Sequence, residues 1–213
     1  MKFDVAKQLG AVLRTVSSLE VEGKPARAVT LGRTYETSCD DLWDALTRPE
    51  RLARWFAPVT GDFKLNGRYQ VQGNAGGEIL ACEPPDHLRL SWVMGEDESW
   101  VELWLSSDGD NRSILKLTHT AYVTEHWEKY GPSATGIGWE LGLFGLELHL
   151  EDPDKPKIDE AAFGASSDGK AMIRGSGERW AQAQTEGGED QDVAIAAARR
   201  TVAFYTGASE SEL

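Results

Sequence analysis

The stretch Asp40–Pro58, DDLWDALTRPERLARWFAP, decides how the rest of the chain is read. Its first half sets Leu42, Trp43, Ala45 and Leu46 on one side of an amphipathic helical turn. Ser38 or Asp40 supplies the side-chain cap. Pro49 interrupts that turn, and it suits the first turn of a second short helix, where its missing N–H would have had no partner. The second helix presents Leu52, Trp55 and Phe56. Upstream, Arg27–Thr37 is rich in β-branched and aromatic residues and reads as a strand. Downstream, from Gly61, the apolar period changes to two. The order is one strand, two short helices, then a run of strands, and such a sheet needs a cover on one face.

The later strands follow from their punctuation. Phe63 and Leu65 precede Asn66-Gly67, a hairpin signal, and Tyr69 and Val71 follow it. Gly73–Gly77 is a turn, and Ile79–Glu83 is a strand ended by Pro84-Pro85. Leu88, Leu90 and Trp92 alternate with Arg89 and Ser91. Trp100–Ser106 turns through Asp108-Gly109-Asp110 into Ser113–Tyr122. Short connections make these six strands antiparallel neighbours of the early one. Ser133–Leu150 reads as a helix despite glycines at 136, 138, 142 and 145, each costing roughly 1 kcal/mol against alanine. Tertiary contact must hold it, and the glycines are expected to let it approach the sheet closely.

Flanking segments complete an expected division into residues 1–24, a helix and turn; 25–150, the main domain; and 151–213, a helical extension. Val5, Leu9, Val12, Val16 and Leu19 predict a helix over Phe3–Leu19, with Glu22-Gly23-Lys24-Pro25 as a turn. Asp152-Pro153-Asp154-Lys155-Pro156 breaks the long helix. Two further helices are expected, over Gly169–Thr185 and Asp192–Tyr205.

Composition removes several function classes. The 213 residues carry 22 basic and 35 acidic side chains, a net charge of -13. Nucleic acid and anionic membranes both need basic clusters, so neither is an expected partner. Two cysteines and four histidines show no ligand spacing, so no metal site and no cofactor are expected. No apolar run reaches membrane-span length, MKFDVAKQLG lacks a signal-peptide core, and a cytoplasmic location is expected. Eight tryptophans imply an aromatic-lined interior or an aromatic contact surface. A GxSxG elbow and a phosphate-binding glycine loop are both absent from the sequence.

Five segments in series, LWDALTRPERLARWFAP, LNGRYQV, GEILACEPPDHLRLSWV, LKLTHTAY and GIGWELGL, resemble the SRPBCC, or START-like, superfamily. The branch is that of proteins similar to the C-terminal domain of the activator of the ninety-kilodalton heat-shock chaperone ATPase. The resemblance covers about Arg27 to Leu150. It implies an α+β helix-grip fold: a curved antiparallel sheet of six to seven strands around a long C-terminal helix, closed at one end by two short helices. It also implies a hydrophobic cavity between sheet and helix. Carried over residue by residue, Trp55 and Phe56 sit at the mouth, and Tyr69, Leu90, Trp92, Leu103, His119 and Trp139 line the interior. Leu88, Val101 and Leu105 face inward with them.

If Leu103 faces in, Trp100, Glu102 and Trp104 face out, and two outward tryptophans need a cover. The N-terminal stripe, the C-terminal extension or a second subunit in a homodimer would provide it. The opposite register would turn these three residues into the cavity, where a buried Glu102 would have a raised pKa. His119 is the one candidate for chemistry, although a lone strand histidine more often serves structure. Glu78 and Arg68 would polarise a ligand or pair at the surface, and His126, Trp127 and Tyr130 would form a lid or a packed loop. Neither Cys39 nor Cys82 has a basic neighbour to stabilise a thiolate. Three functions remain: non-enzymatic binding of a small, largely apolar molecule; a cyclase or hydrolase using His119 with a carboxylate or tyrosine; and regulation of a chaperone ATPase.

Overall fold

A computed structural model describes residues 3–209. Eight strands form one sheet: β1 (Val12–Val21), β2 (Lys24–Tyr35), β3 (Val59–Gly61), β4 (Arg68–Val71), β5 (Gly76–Glu83), β6 (His87–Met94), β7 (Asp97–Ser107) and β8 (Ser113–Tyr122), in the order β1-β2-β8-β7-β6-β5-β4-β3. The strand pairs from β3 to β8 are antiparallel. The helices are α1 (Val5–Gly10), α2 (Cys39–Thr47), α3 (Pro49–Trp55), α4 (Glu125–Tyr130), α5 (Ser133–Glu151), α6 (Glu160–Ala165), α7 (Ser167–Glu186) and α8 (Gln191–Thr206). This is the α+β, helix-grip arrangement expected from the sequence, with its long helix α5. The chain divides into two compact units, one of residues 32–121 and 142–157, the other of 1–31, 122–141 and 158–213.

The first of these holds the sheet from the end of β2 to β3, with α2, α3 and the last half of α5. Ser38 caps α2 by accepting from the Asp41 N–H, as its place in the sequence predicts. Pro49 opens α3. Leu42, Ala45, Leu46 and Trp55 are buried, and the Trp55 indole N–H donates to the Ala45 carbonyl at 3.0 Å. Arg33 pairs with Glu147 of α5 at 2.5 Å, and the Tyr35 hydroxyl donates to the Leu143 carbonyl. Burial raises the Tyr35 pKa well above its ordinary value, so this hydroxyl keeps its hydrogen.

The hairpin expected around Asn66-Gly67 takes another form. Phe63 and Leu65 lie in a loop and are exposed, and β3 sits earlier, at Val59–Gly61. The Gly67 N–H donates to the Lys64 carbonyl, with Asn66 at φ 62°. That is a turn with its left-handed residue third, which asparagine tolerates, rather than the two-residue hairpin turn.

In the other unit, the helix predicted over Phe3–Leu19 stops at Gly10, and Val12–Val21 is a strand. Both periods fit the same apolar residues: Val12 and Val16 share a strand face as readily as a helix face. The β-branched Val12, Thr15, Val16 and Val21 favour the strand. Glu22 and Gly23, at φ 52° and 74°, form the tight primed turn that folds β1 back on β2. The exposed edge of β1 is covered in part, since a Cβ on Gly187 would lie 2.7 Å from the Val16 carbonyl oxygen.

This unit contains a buried ion pair that the sequence did not reveal. Arg14 donates to both carboxylate oxygens of Glu140, at 2.7 and 2.6 Å, and to the carbonyls of Leu9 and Val12. Of the four glycines of α5, those at 136, 138 and 145 approach other helices and not the sheet, contrary to expectation, and Gly142 faces open space. A Cβ at Gly136 would meet the Trp180 ring of α7 at 2.2 Å, and one at Gly138 the Tyr205 hydroxyl of α8 at 3.2 Å. Gly175 and Gly177 of α7 likewise make room for Leu9 and Val202.

Candidate functional site

Cross-strand register decides which side chains share a face, because directly paired residues point the same way. Three rows cross β6, β7 and β8: Trp92–Ser99–Ala121, Leu90–Val101–His119 and Leu88–Leu103–Leu117. Ser99, Val101, Leu103 and Leu105 are buried along β7. This is the inner face, so Leu103 faces in and Trp100, Glu102 and Trp104 face out.

The inner face carries an aromatic run. The Tyr69 and Trp92 rings lie 6.4 Å apart, and the Trp92 and His119 rings 6.2 Å apart, the latter edge to face. Gly77 permits it: paired with Tyr69, it lies so close to β6 that a Cβ would come 2.0 Å from the Ser91 carbonyl oxygen. The Tyr69 hydroxyl donates to that same carbonyl at 2.7 Å. Burial raises the Tyr69 pKa, so the phenol stays protonated.

His119 is held by Ser99. Its Nε2 lies 2.9 Å from Ser99 Oγ, and Ser99 donates its own hydrogen to the Trp92 carbonyl at 2.8 Å. Burial lowers the His119 pKa to about 4, so the imidazole is neutral at pH 7. Its sequence position gave no sign of the serine, since the pairing arises between β7 and β8.

At the other end of this unit, α3 is fastened to the end of α5. Arg51 donates to His149 Nε2 at 3.3 Å and to Asp41 Oδ1 at 2.6 Å, and Arg54 donates to the Pro153 carbonyl. Desolvation, then Arg51 and Arg54, lower the His149 pKa, while Arg51 and Thr37 hold Asp41 below the usual carboxylate range against its desolvation. The Trp55 and Phe56 rings adjoin at 5.5 Å.

Thus Tyr69, Leu90, Trp92, Leu103 and His119 lie on strands of one unit, with Trp55 at the end of α3 and Phe56 directly after it in the same unit. Trp139 is half-buried on α5 in the other unit. Arg68 and Glu78 are cross-strand partners on β4 and β5. The His126 and Tyr130 rings of α4 adjoin at 4.9 Å, tilted by 47°. On the outer face Trp104 is 45% exposed. One side of its ring is covered by His87, stacked at 3.8 Å and bonded to Glu102 at 2.8 Å. Among the described residues, no three His, Cys, Asp or Glu side chains gather as a metal site, and no helix is long and apolar enough to cross a membrane.

Comparison with known proteins agrees with this architecture. Residues 36–151 match the model of the family described as "Activator of Hsp90 ATPase homolog 1-like protein". The crystal structure of CalU16 from Micromonospora echinospora is 32% identical, superposes with a TM-score of 0.67, and aligns over 81% of this chain and 98% of its own. That alignment extends well beyond the family match and takes in part of the flanking segments. PFC0360w, an HSP90 activator from Plasmodium falciparum, is 22% identical with a TM-score of 0.52, over 58% of this chain and 96% of its own. DynU16, from the dynemicin biosynthetic locus, has the same identity and TM-score over 61% of this chain and 48% of its own. No protein with a curated description matches. With a family match over more than half its length, the chain belongs to the activator of Hsp90 ATPase homolog 1-like family.

Proposed function

We propose that this chain is a non-enzymatic binding protein for a small, largely apolar molecule held against the inner face of β4 to β8. The observation that carries the reading is the contiguous run Tyr69, Trp92 and His119, whose three rings are all uncharged at neutral pH. Aromatic faces with a few fixed polar groups suit apolar ligands. General acid catalysis is disfavoured there: with a pKa of about 4, about one His119 in a thousand is protonated at pH 7. Native mass spectrometry of freshly expressed protein tests the reading. The expected result is a small molecule released on denaturation, or uptake of an added aromatic probe; protein that shows neither overturns it. Turnover lost in His119→Ala with the fold retained would favour the cyclase or hydrolase instead. Regulation of a chaperone ATPase is the second reading, favoured by the family match, and stimulation of that ATPase by the purified chain is its test.

A further inference from the structure

Arg51 sits where three helices of one unit meet. From α3 it donates to Asp41 Oδ1 of α2 at 2.6 Å and to Asp44 Oδ1 at 3.4 Å, and its Nε–H donates to His149 Nε2 of α5 at 3.3 Å. A guanidinium can only donate, so His149 Nε2 is the acceptor: its lone pair points at Arg51, and the imidazole hydrogen is on Nδ1. The contact therefore exists only while His149 is neutral. His149 is buried, whereas the other bonds near the end of α3, Arg54 to the Pro153 carbonyl and Lys157 to the Phe56 carbonyl, are exposed.

Each carboxylate near His149 is already engaged. Asp41 accepts from Arg51 on Oδ1 and from the Thr37 hydroxyl on Oδ2, the latter at 2.7 Å. Asp44 holds Arg51 and, at 3.1 Å, Arg48, and Asp152, just beyond α5, pairs with Lys155 at 3.2 Å. Burial opposes the charged imidazole most, Arg51 and Arg54 add to that, and Asp41 works against them, so the closed contact takes up a proton less readily than a free histidine. We propose that Arg51 and His149 form an acid-released latch between α3 and the end of α5. A proton on Nε2 sets N–H against N–H, and the contact opens. The open form binds that proton more readily, so the latch is fully closed above pH 6.5, the ordinary histidine value, and weakens as pH falls below it. Its opening loosens α3 with the Trp55-Phe56 end. The latch needs no ligand, and its failure would leave the binding function untouched.

Amide hydrogen exchange of the full chain, followed by NMR at about pH 7.5 and 5.5 and expressed as protection factors, tests the latch. The Leu52 and Phe56 N–H groups, which donate to the Arg48 and Leu52 carbonyls across α3, should lose about tenfold of their protection in acid. In His149→Gln, whose side-chain carbonyl accepts from Arg51 at either pH, that loss should vanish, while any loss in β7 and β8 remains. An equal loss over α3 in both proteins, or none in the wild type, overturns the latch. Nitrogen chemical shifts of labelled histidine give a readout that needs no variant. His149 is expected as the Nδ1–H tautomer at the higher pH, and an Nε2–H tautomer there overturns the assignment.

Discussion

His119 should make the protein acid-labile in a defined window. Its pKa is about 4 in the folded chain against an ordinary 6.5, because burial opposes the charged form. The unfolded chain therefore takes up the proton first as pH falls. The stability this group contributes is complete above pH 6.5, is lost between 6.5 and about 4, and stays lost below that. The shift of about 2.5 units corresponds to roughly 3 kcal/mol, of which about 1.4 kcal/mol is gone by pH 5.5. The perturbation is His119→Gln, which retains an N–H able to reach Ser99 and does not titrate. The assay is urea unfolding followed by tryptophan fluorescence, at half-unit steps from pH 7.5 to 4.5. His149, also depressed, and Asp41 lose stability with acid too, but they are present in both proteins and cancel in the difference. The wild type should start ahead and lose its lead over the variant by about 2.5 kcal/mol between pH 7.5 and 4.5. A difference that does not change with pH would mean that His119 is not held neutral in a dry interior, and the assignment of the inner face would fall with it.

Two further outcomes test the packing. Glu140→Ala leaves the buried Arg14 guanidinium without its carboxylate and should cost about 3–5 kcal/mol in thermal or urea unfolding. Replacing both partners by apolar residues of similar volume should restore most of that loss. Gly77→Ala drives a methyl into the Ser91 carbonyl and should cost about 3 kcal/mol, whereas Gly142→Ala, with open space at its Cβ in α5, should stabilise by about 1 kcal/mol. Equal effects of these two glycine substitutions would refute the close approach of β5 and β6.

The sequence announced α2, α3 and α5 because each carries its own local signals: a serine cap, a proline at a first turn, and a continuous apolar run. Strands β6, β7 and β8 were equally legible through strict alternation. What stayed hidden depends on residues far apart in the chain. β1 reads as a helix because Val12 and Val16 satisfy two periods, and the primed turn at Glu22-Gly23 that decides between them counts only once β1 and β2 are seen as partners. His119 was singled out from its strand, but Ser99, twenty residues earlier and on a neighbouring strand, had no local feature to recommend it. The glycines at 136 and 138 signalled a close approach, although nothing local said that its object was Trp180 and Tyr205.

Helix α5 has residues in both units. Four glycines over 19 residues give it poor intrinsic stability, so its position must be fixed from outside. Two arginines do this, each within its own unit. Arg14 of β1 holds Glu140, and Arg33 of β2 holds Glu147, two turns further along. A spacing of seven puts both carboxylates on one side of the helix. The Arg14–Glu140 pair and the Arg33 guanidinium have been taken out of water, so their contribution lies less in net stability than in the penalty for any other register: a helix slipped by one turn would leave buried charges unpaired. Apolar contacts alone would not discriminate in this way, because an alternative register can present leucine to the strands as well as the native one does. The segment GIGWELGL, which carried part of the family resemblance, contains Glu140 among its apolar residues. There it reads as an interruption of the apolar run, yet in the fold it is the residue that determines where that run comes to rest.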